Sequence, residues 1–496
     1  YMHYSWKKVA PFFIAMKNFN GDWSENYSSS GIEGFYPDYA SSTDLNLQSP
    51  YFDSRYSAIY EWAMQLRMPD GTLPVMEDSP LNVYTPELAL LSSEYDIQYN
   101  TSVDEGDAPP ISRRLSDLKS DYIASGNYNY GLDNIQLESF VFMPEAGSAV
   151  FRSPDNLGLY LHINGKNGHT RMAAAAHDQA DVSHFEIAFG NQKLSVEGGY
   201  AGWNYRYDVN KAENHNIILV NGFGPKPPSG PAVAVTYSGF PPVVNIDFNT
   251  GEPSPVDGFL ENPFESLSFS YLECRSEYGQ TYFRNTDEES MEGQEIWYHD
   301  DNDNTNVEFK RCILFVDNQY FVMLDKIDSD NNDINTYSWR FHANAGGNTG
   351  GTLIENSYGG IISSSGDDMA NLLIHTTTPM DNPILSYPIS QHSKDILGPS
   401  YYEDHIVIQA DQDGIDTEFL TIFYPFMNND VSIYSFETSS DYIGLLVDRI
   451  GDKYDIVIAQ NLNNQLDIEG FMTVNGDSIP NIQTTANFIL ISLERD

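Results

Sequence analysis

Val307-Glu308-Phe309-Lys310-Arg311-Cys312-Ile313-Leu314-Phe315-Val316, then Asp317-Asn318-Gln319, then Tyr320-Phe321-Val322-Met323-Leu324-Asp325-Lys326-Ile327 decide the fold. Two runs of β-branched and aromatic residues flank a short polar break, which is how strands announce themselves in a sequence. Outward from this pair the same texture recurs at 149–152, 158–163, 216–220 and 337–342, punctuated by Gly, Asn, Asp and Pro. It continues at 406–410, 418–424, 442–447, 455–459 and 488–493. Short strands repeated in this way predict an antiparallel β-sandwich. The Gly398-Pro399 turn marks an expected boundary before a smaller β-domain.

Upstream the texture differs. Residues 1–19 carry Trp6, Val9, Phe12, Phe13 and Met16 at helical spacing, and residues 52–68 carry Tyr56, Ile59, Tyr60, Ala63 and Leu66. Both patterns predict amphipathic helices. Pro69-Asp70-Gly71 stops the second, and Thr85-Pro86 restarts a short helix with Thr85 as N-cap. The opening 125 residues are therefore expected to be mainly helical. The chain opens at Tyr1 inside this pattern, so a preceding segment is expected.

Composition narrows the function. A length of 496 residues predicts two or three domains. Lys and Arg number 25 against 71 Asp and Glu, a net charge of −46, which excludes nucleic acid or an anionic membrane as a partner held by a basic surface. Such a surface suits a secreted or periplasmic protein of a saline, marine-type habitat, where salt screens charge. No run of eighteen apolar residues occurs, so no membrane-spanning helix is expected. Cys274 and Cys312 could form a disulfide or remain buried thiols. The acidic loop at 328–335 lacks the Gly that a calcium loop needs at its sixth position, and a solvated hairpin loop is expected there.

The chemistry concentrates between His177 and Gly222. His177, Gln179 and Asp181 share a face if the segment is extended, with Phe185 and Ile187 directed to a core. Glu197 precedes Gly198-Gly199, and Asn214-His215-Asn216 enters an apolar run. A histidine, a carboxylate and an amide from neighbouring strands could hold zinc, with Gln179, Glu197 and His215 as the ligands. Between them runs Tyr200-Ala201-Gly202-Trp203-Asn204-Tyr205-Arg206-Tyr207, where a cation beside a phenol favours proton transfer. Tyr1 and Tyr4 are three apart and neighbours on one helical face.

These motifs resemble the heparinase II/III-like polysaccharide lyases, closest in texture to alginate-lyase-like members. The family has a His-x-His-x-Asp strand, an Asp-x-Gly turn and a His-Asn strand, and the order here matches it. The 309–325 run and Trp339-Arg340-Phe341-His342 look like its paired core strands. The resemblance implies an α+β multidomain chain. In it, the C-terminal part of an (α/α) toroid spans 1–128, a large antiparallel β-sandwich spans 129–397, and a C-terminal β-domain spans 398–496. It also implies β-elimination on a uronate-containing anionic polysaccharide such as alginate, ulvan or a glycosaminoglycan, with Tyr1, His177 and Tyr205 as acid–base groups. Tyr4, His3, Arg171 and Arg206 are the implied substrate-binding residues, zinc is the implied ion, and an N-terminal toroid fragment on another chain is an implied partner. Gln179 stands where the family has His, and Glu197 where it has Asp. The rival readings are a catalytically silent carbohydrate-binding protein and a glycoside hydrolase with a carboxylate pair.

Overall fold

The computed structural model describes most of residues 137–165, 179–222, 258–278, 307–427, 432–460 and 486–494, parts of 62–81, and several short strands elsewhere. The chain divides into two compact units, Tyr1–Pro74 with Asn82–Glu138, and Val75–Leu81 with Ser139–Asp496.

The first unit corrects the expectation of a toroid. Its described elements include an antiparallel pair, Tyr27–Ser29 with Leu45–Leu47, in a region expected to be helical. Among its described residues only Trp62, Gln65 and Leu66 are helical, all within the 52–68 window, and the expected helices at 1–19 and after Thr85 lie outside the described residues. Across the described residues the chain is nearly all β, 64% strand against 4% helical, and no helical toroid is evident. The physical reason is that apolar spacing in one window is a local signal, whereas a toroid needs many stacked hairpins that no single window specifies. The stop after residue 68 is in place as a turn. Met68 N donates to Thr72 O, and the Asp70 carboxylate accepts from Thr72 N at 2.9 Å and Thr72 Oγ1 at 2.6 Å.

The second unit matches the expected β-sandwich. Its centre is an eight-stranded antiparallel sheet in the spatial order Gly258–Glu265, Phe269–Tyr278, Val307–Val316, Tyr320–Ser329, Thr417–Phe426, Asn371–Thr377, Gly359–Ser363 and Thr352–Asn356. The Val307–Val316 and Tyr320–Ser329 strands pair along ten positions, from Val307 opposite Ser329 to Val316 opposite Tyr320. Asp317 and Asn318 turn the chain between them with positive φ, a conformation that short polar side chains tolerate.

Both faces of this sheet are covered. Phe309, Ile313, Phe315, Phe321, Met323 and Phe423 enter one core with Phe151, Phe185, Ile187, Trp339 and Phe341 from two five-stranded sheets. Cys312, Leu314, Val322, Leu324 and Ile422 face a second core with Leu445, Val447 and Val457 of a four-stranded sheet. Burial on two sides explains why these strands read as near-continuous apolar runs.

One five-stranded sheet runs Phe140–Met143, Ser148–Arg152, Tyr160–Asn164, Phe185–Phe189 and Gln192–Lys193. The other joins Ile218–Val220, Asn335–Ala343, Tyr402–Gly414, Ile384–Ser386 and Ile389–Ser393. Gly398 and Pro399 lie outside the described residues. The strands after them, Tyr402–Gly414 and Thr417–Phe426, hydrogen-bond into the two central layers, and the separate four-stranded sheet starts only at Ser432.

Cys274 stands opposite Arg311 and Cys312 opposite Glu273, so the two thiols are offset by one position and point to opposite faces. They are free, and burial pushes both up to about 12. The loop after Ser329 is not a hairpin: it carries the chain from the central sheet to the layer facing it.

Candidate functional site

A tight turn before Phe185–Phe189 sets the first site residue. Ser183 takes φ 68°, its N–H donates to Asn164 O, and His184 N–H donates to Asp181 O. Asn164 Nδ2 donates to the Asp181 carboxylate at 2.9 Å. The turn is thus locked to the neighbouring strand, and His184 stands at the head of its own. Phe185 and Ile187 enter the core as expected.

Glu197 follows an extended stretch in which Val196 N–H donates to His342 O. The Gly198-Gly199 pair after it meets close neighbours. A Cβ on Gly198 would lie 2.4 Å from Val209 O, and Gly199 adopts φ 70° beside Ser393. His215 caps a short 3-10 turn, Ala212–Asn214, and leads through Asn216 into Ile218–Val220.

These three arms converge. Glu197 Oε1 lies 2.6 Å from His215 Nδ1, and Glu197 Oε2 lies 3.3 Å from His184 Nε2. All three residues are buried. Burial raises the Glu197 carboxyl above its usual value, while His215 draws it back down. The donor atoms lie within 4.8 Å of one another, a spacing that could hold an ion.

The hydrogen bonds on His184 nevertheless run against zinc. Asn216 N–H donates to His184 Nδ1 at 2.9 Å, so Nδ1 is an acceptor and the neutral ring carries its proton on Nε2, toward Glu197. A zinc ligand has the opposite arrangement, with the ring nitrogen away from the metal donating its N–H. Gln179, expected as a ligand, donates its amide to Gly199 O at 3.4 Å. The residues present therefore suit a proton-sharing carboxylate–imidazole cluster better than a zinc site.

Asn216 and Arg311 hold this cluster from below. Asn216 Nδ2 donates to Phe185 O at 2.7 Å, and its Oδ1 accepts His342 N–H at 2.6 Å. Arg311 is wholly buried and grips Asp325 through two bonds, Nε to Oδ1 at 2.7 Å and Nη2 to Oδ2 at 2.9 Å. Its remaining Nη1 donates to Ser183 O and Asn216 O, the residues beside His184 and His215. Glu186, on the strand begun by His184, accepts Val75 N–H at 2.6 Å.

Of the residues expected from sequence, Glu197 and His215 come together and Gln179 lies beside Gly199. Tyr1, His3, Tyr4, Arg171, His177, Tyr205 and Arg206 lie outside the described residues. Sequence reasoning missed His184, Asn216 and Arg311 as site-building residues. The signals were modest: an Asn after His215, and a Lys310-Arg311 pair leading into an apolar run.

Neither a protein-family model nor a curated protein sequence matches this chain. Among solved structures it is similar to a heparinase III at 13% identity and a TM-score of 0.52, the match covering 90% of this chain and 55% of that one. It is also similar to a heparan sulfate lyase from Pedobacter heparinus at 12% identity and a TM-score of 0.50, covering 90% and 54%. The chain spans about half the length of these proteins. At such identity the likeness is one of fold, a distant structural relationship to the heparinase III and heparan sulfate lyase structures.

Proposed function

We propose that this protein is a polysaccharide lyase that cleaves a uronate-containing anionic polysaccharide by β-elimination. The observation that carries the reading is the likeness of fold to heparinase III along nine-tenths of the chain. The buried cluster of His184, Glu197 and His215 adds chemical support, since it concentrates proton-handling groups at strand ends. In such a reaction the C6 carboxylate of the uronate is neutralised by hydrogen-bond donors, which makes the C5 proton removable. A base takes that proton and an acid delivers one to the leaving oxygen at C4. Resemblance assigns the acid–base work to His177, Tyr205 and Tyr1, and substrate binding to Arg171, Arg206, His3 and Tyr4. With a polymer as its proposed substrate, the protein is proposed to be secreted or periplasmic.

The test is incubation with alginate, ulvan and glycosaminoglycans while following the ultraviolet absorbance of the unsaturated uronide product. His177→Ala and Tyr205→Phe are each expected to slow product formation at least about 100-fold, the usual size of an acid–base contribution. Absence of unsaturated product from every polymer sinks the reading. New reducing ends without unsaturation would indicate a hydrolase, and binding without cleavage a silent carbohydrate-binding protein.

A further inference from the structure

Beyond the cluster, three more histidines form a continuous chain. His342 Nδ1 lies 2.7 Å from His405 Nε2, and His405 Nδ1 lies 3.0 Å from His392 Nδ1. The sheet register builds this row. His342 stands opposite Val407, two residues from His405, while His405 stands opposite Ser390, two residues from His392. With a side-chain period of two, all three rings share one face as a diagonal. Neighbours Trp339, Phe341 and Ala343 go to the core, so this row lies on the opposite face of the sheet.

The backbone at the inner end of the row is hydrogen-bonded to residues next to the cluster. His342 O accepts Val196 N–H, next to Glu197, and His342 N–H donates to the side chain of Asn216, next to His215. Among the described residues His342 Nε2 is buried with no hydrogen-bond partner. Exposure rises outward, 0% at His342, 1% at His405 and 6% at His392. The row therefore leads from the interior toward the surface.

We propose that His342, His405 and His392 are a proton wire between solvent and the His184–Glu197–His215 cluster. A neutral imidazole has one N–H and one lone pair, and His405 uses both nitrogens, so it donates on one side and accepts on the other. In the inward direction His392 begins with its proton on Nδ1. It takes a solvent proton on Nε2 and passes the Nδ1 proton to His405 Nδ1. His405 passes its Nε2 proton to His342 Nδ1, and His342 releases its Nε2 proton toward the cluster, whose His215 and His184 are near enough to act on it electrostatically. One proton enters, one leaves, and each ring ends as the other tautomer. Burial keeps all three imidazoles neutral at ordinary pH, as a relay requires; neighbouring rings and Arg340 add to it at His342 and His405, whereas at His392 Glu403 works against it. The charged groups around the row are Arg340, Glu403, Asp404 and Lys394. The proposal goes beyond the lyase reading and is tested without it.

The experiment uses the full chain with histidine ring nitrogens labelled with 15N. Scalar coupling across the two N–H···N bonds is expected, together with solvent exchange of the His215 ring proton. His405→Gln retains an amide donor and acceptor but cannot relay a proton. It should raise the barrier enough for about tenfold slower exchange, with an unchanged thermal midpoint. His392→Gln, which leaves the His342–His405 contact in place, should slow exchange likewise and serves if His405→Gln does not fold. Missing couplings in the parent protein, or unchanged exchange in a folded variant, would overturn the wire.

Discussion

Arg311 shows how much of the site rests on a residue sealed inside the protein. Its guanidinium is wholly buried, doubly bonded to Asp325, and turned onto the carbonyls of Ser183 and Asn216. Phe185 and Phe309 flank it at 4.8 and 5.4 Å from their ring centroids. Removing one partner of a buried pair leaves an uncompensated charge, so Arg311→Met should cost about 3–5 kcal/mol. Arg311→Lys keeps the charge but loses the fork, and should recover only part of that. Urea unfolding of both variants measures it, and a loss under about 1 kcal/mol for Arg311→Met would contradict the role assigned here. The sequence displayed Arg311 leading into an apolar run but could not display its partners, which are backbone carbonyls far away along the chain. His184 escaped notice for a related reason. The alternation assumed an extended chain from His177 to Ile187, and the left-handed Ser183 breaks it just before the strand.

At the scale of elements, period-two patterning made the β-sandwich legible, whereas the turns that aim the site were not. The Val307–Val316 and Tyr320–Ser329 pair is visible in composition alone because both its faces meet cores. The same two-faced burial decides the cysteines, since residues offset by one across a ladder cannot meet. The Gly198-Gly199 pair was visible as a motif, but its reason is steric and appears only in three dimensions. A methyl group on Gly198 would press on Val209 O, which belongs to backbone and cannot step aside. Ser393 N–H also donates to Gly198 O, tying this turn to the strand that carries His392. Gly198→Ala is therefore expected to destabilise by about 1–3 kcal/mol, as overpacking does. Gly199→Ala adds the strain of a left-handed residue, about 1–2 kcal/mol. Thermal unfolding of the two single variants checks this, and a neutral Gly198→Ala would mean that the Val209 segment yields freely. The toroid expectation failed at this scale too: the Tyr27–Ser29 and Leu45–Leu47 ladder lies between the two apolar windows, which say nothing of the chain that joins them.

At the scale of the whole molecule, a net charge of −46 and a set of buried neutral histidines pull stability in opposite directions as pH falls. Burial lowers His162 to about 3, and His375 and His392 to about 4, while His342 and His405 fall well below their usual value. In the unfolded chain each would bind a proton near pH 6.5. Between that value and about 4 the unfolded state holds more protons than the folded one, so stability is present above the unfolded value and drains away on acidification. Each such histidine contributes about 1.4 kcal/mol per pH unit in that window. Glu197 works the other way, because a raised carboxyl stabilises at low pH and loses that contribution as pH rises through its folded value. Asp325, another carboxyl that burial holds above its usual value, joins it, so among the described residues two groups stand against five. The surface carboxylates relieve their mutual repulsion only when they protonate, near their ordinary values of about 4. The histidines therefore act first on the way down. The urea midpoint should fall between about pH 7 and about pH 5, and His162→Gln should flatten that slope if the variant folds. A midpoint that holds or rises over the same interval would mean that charge relief, not the buried imidazoles, governs the stability of this fold in mild acid.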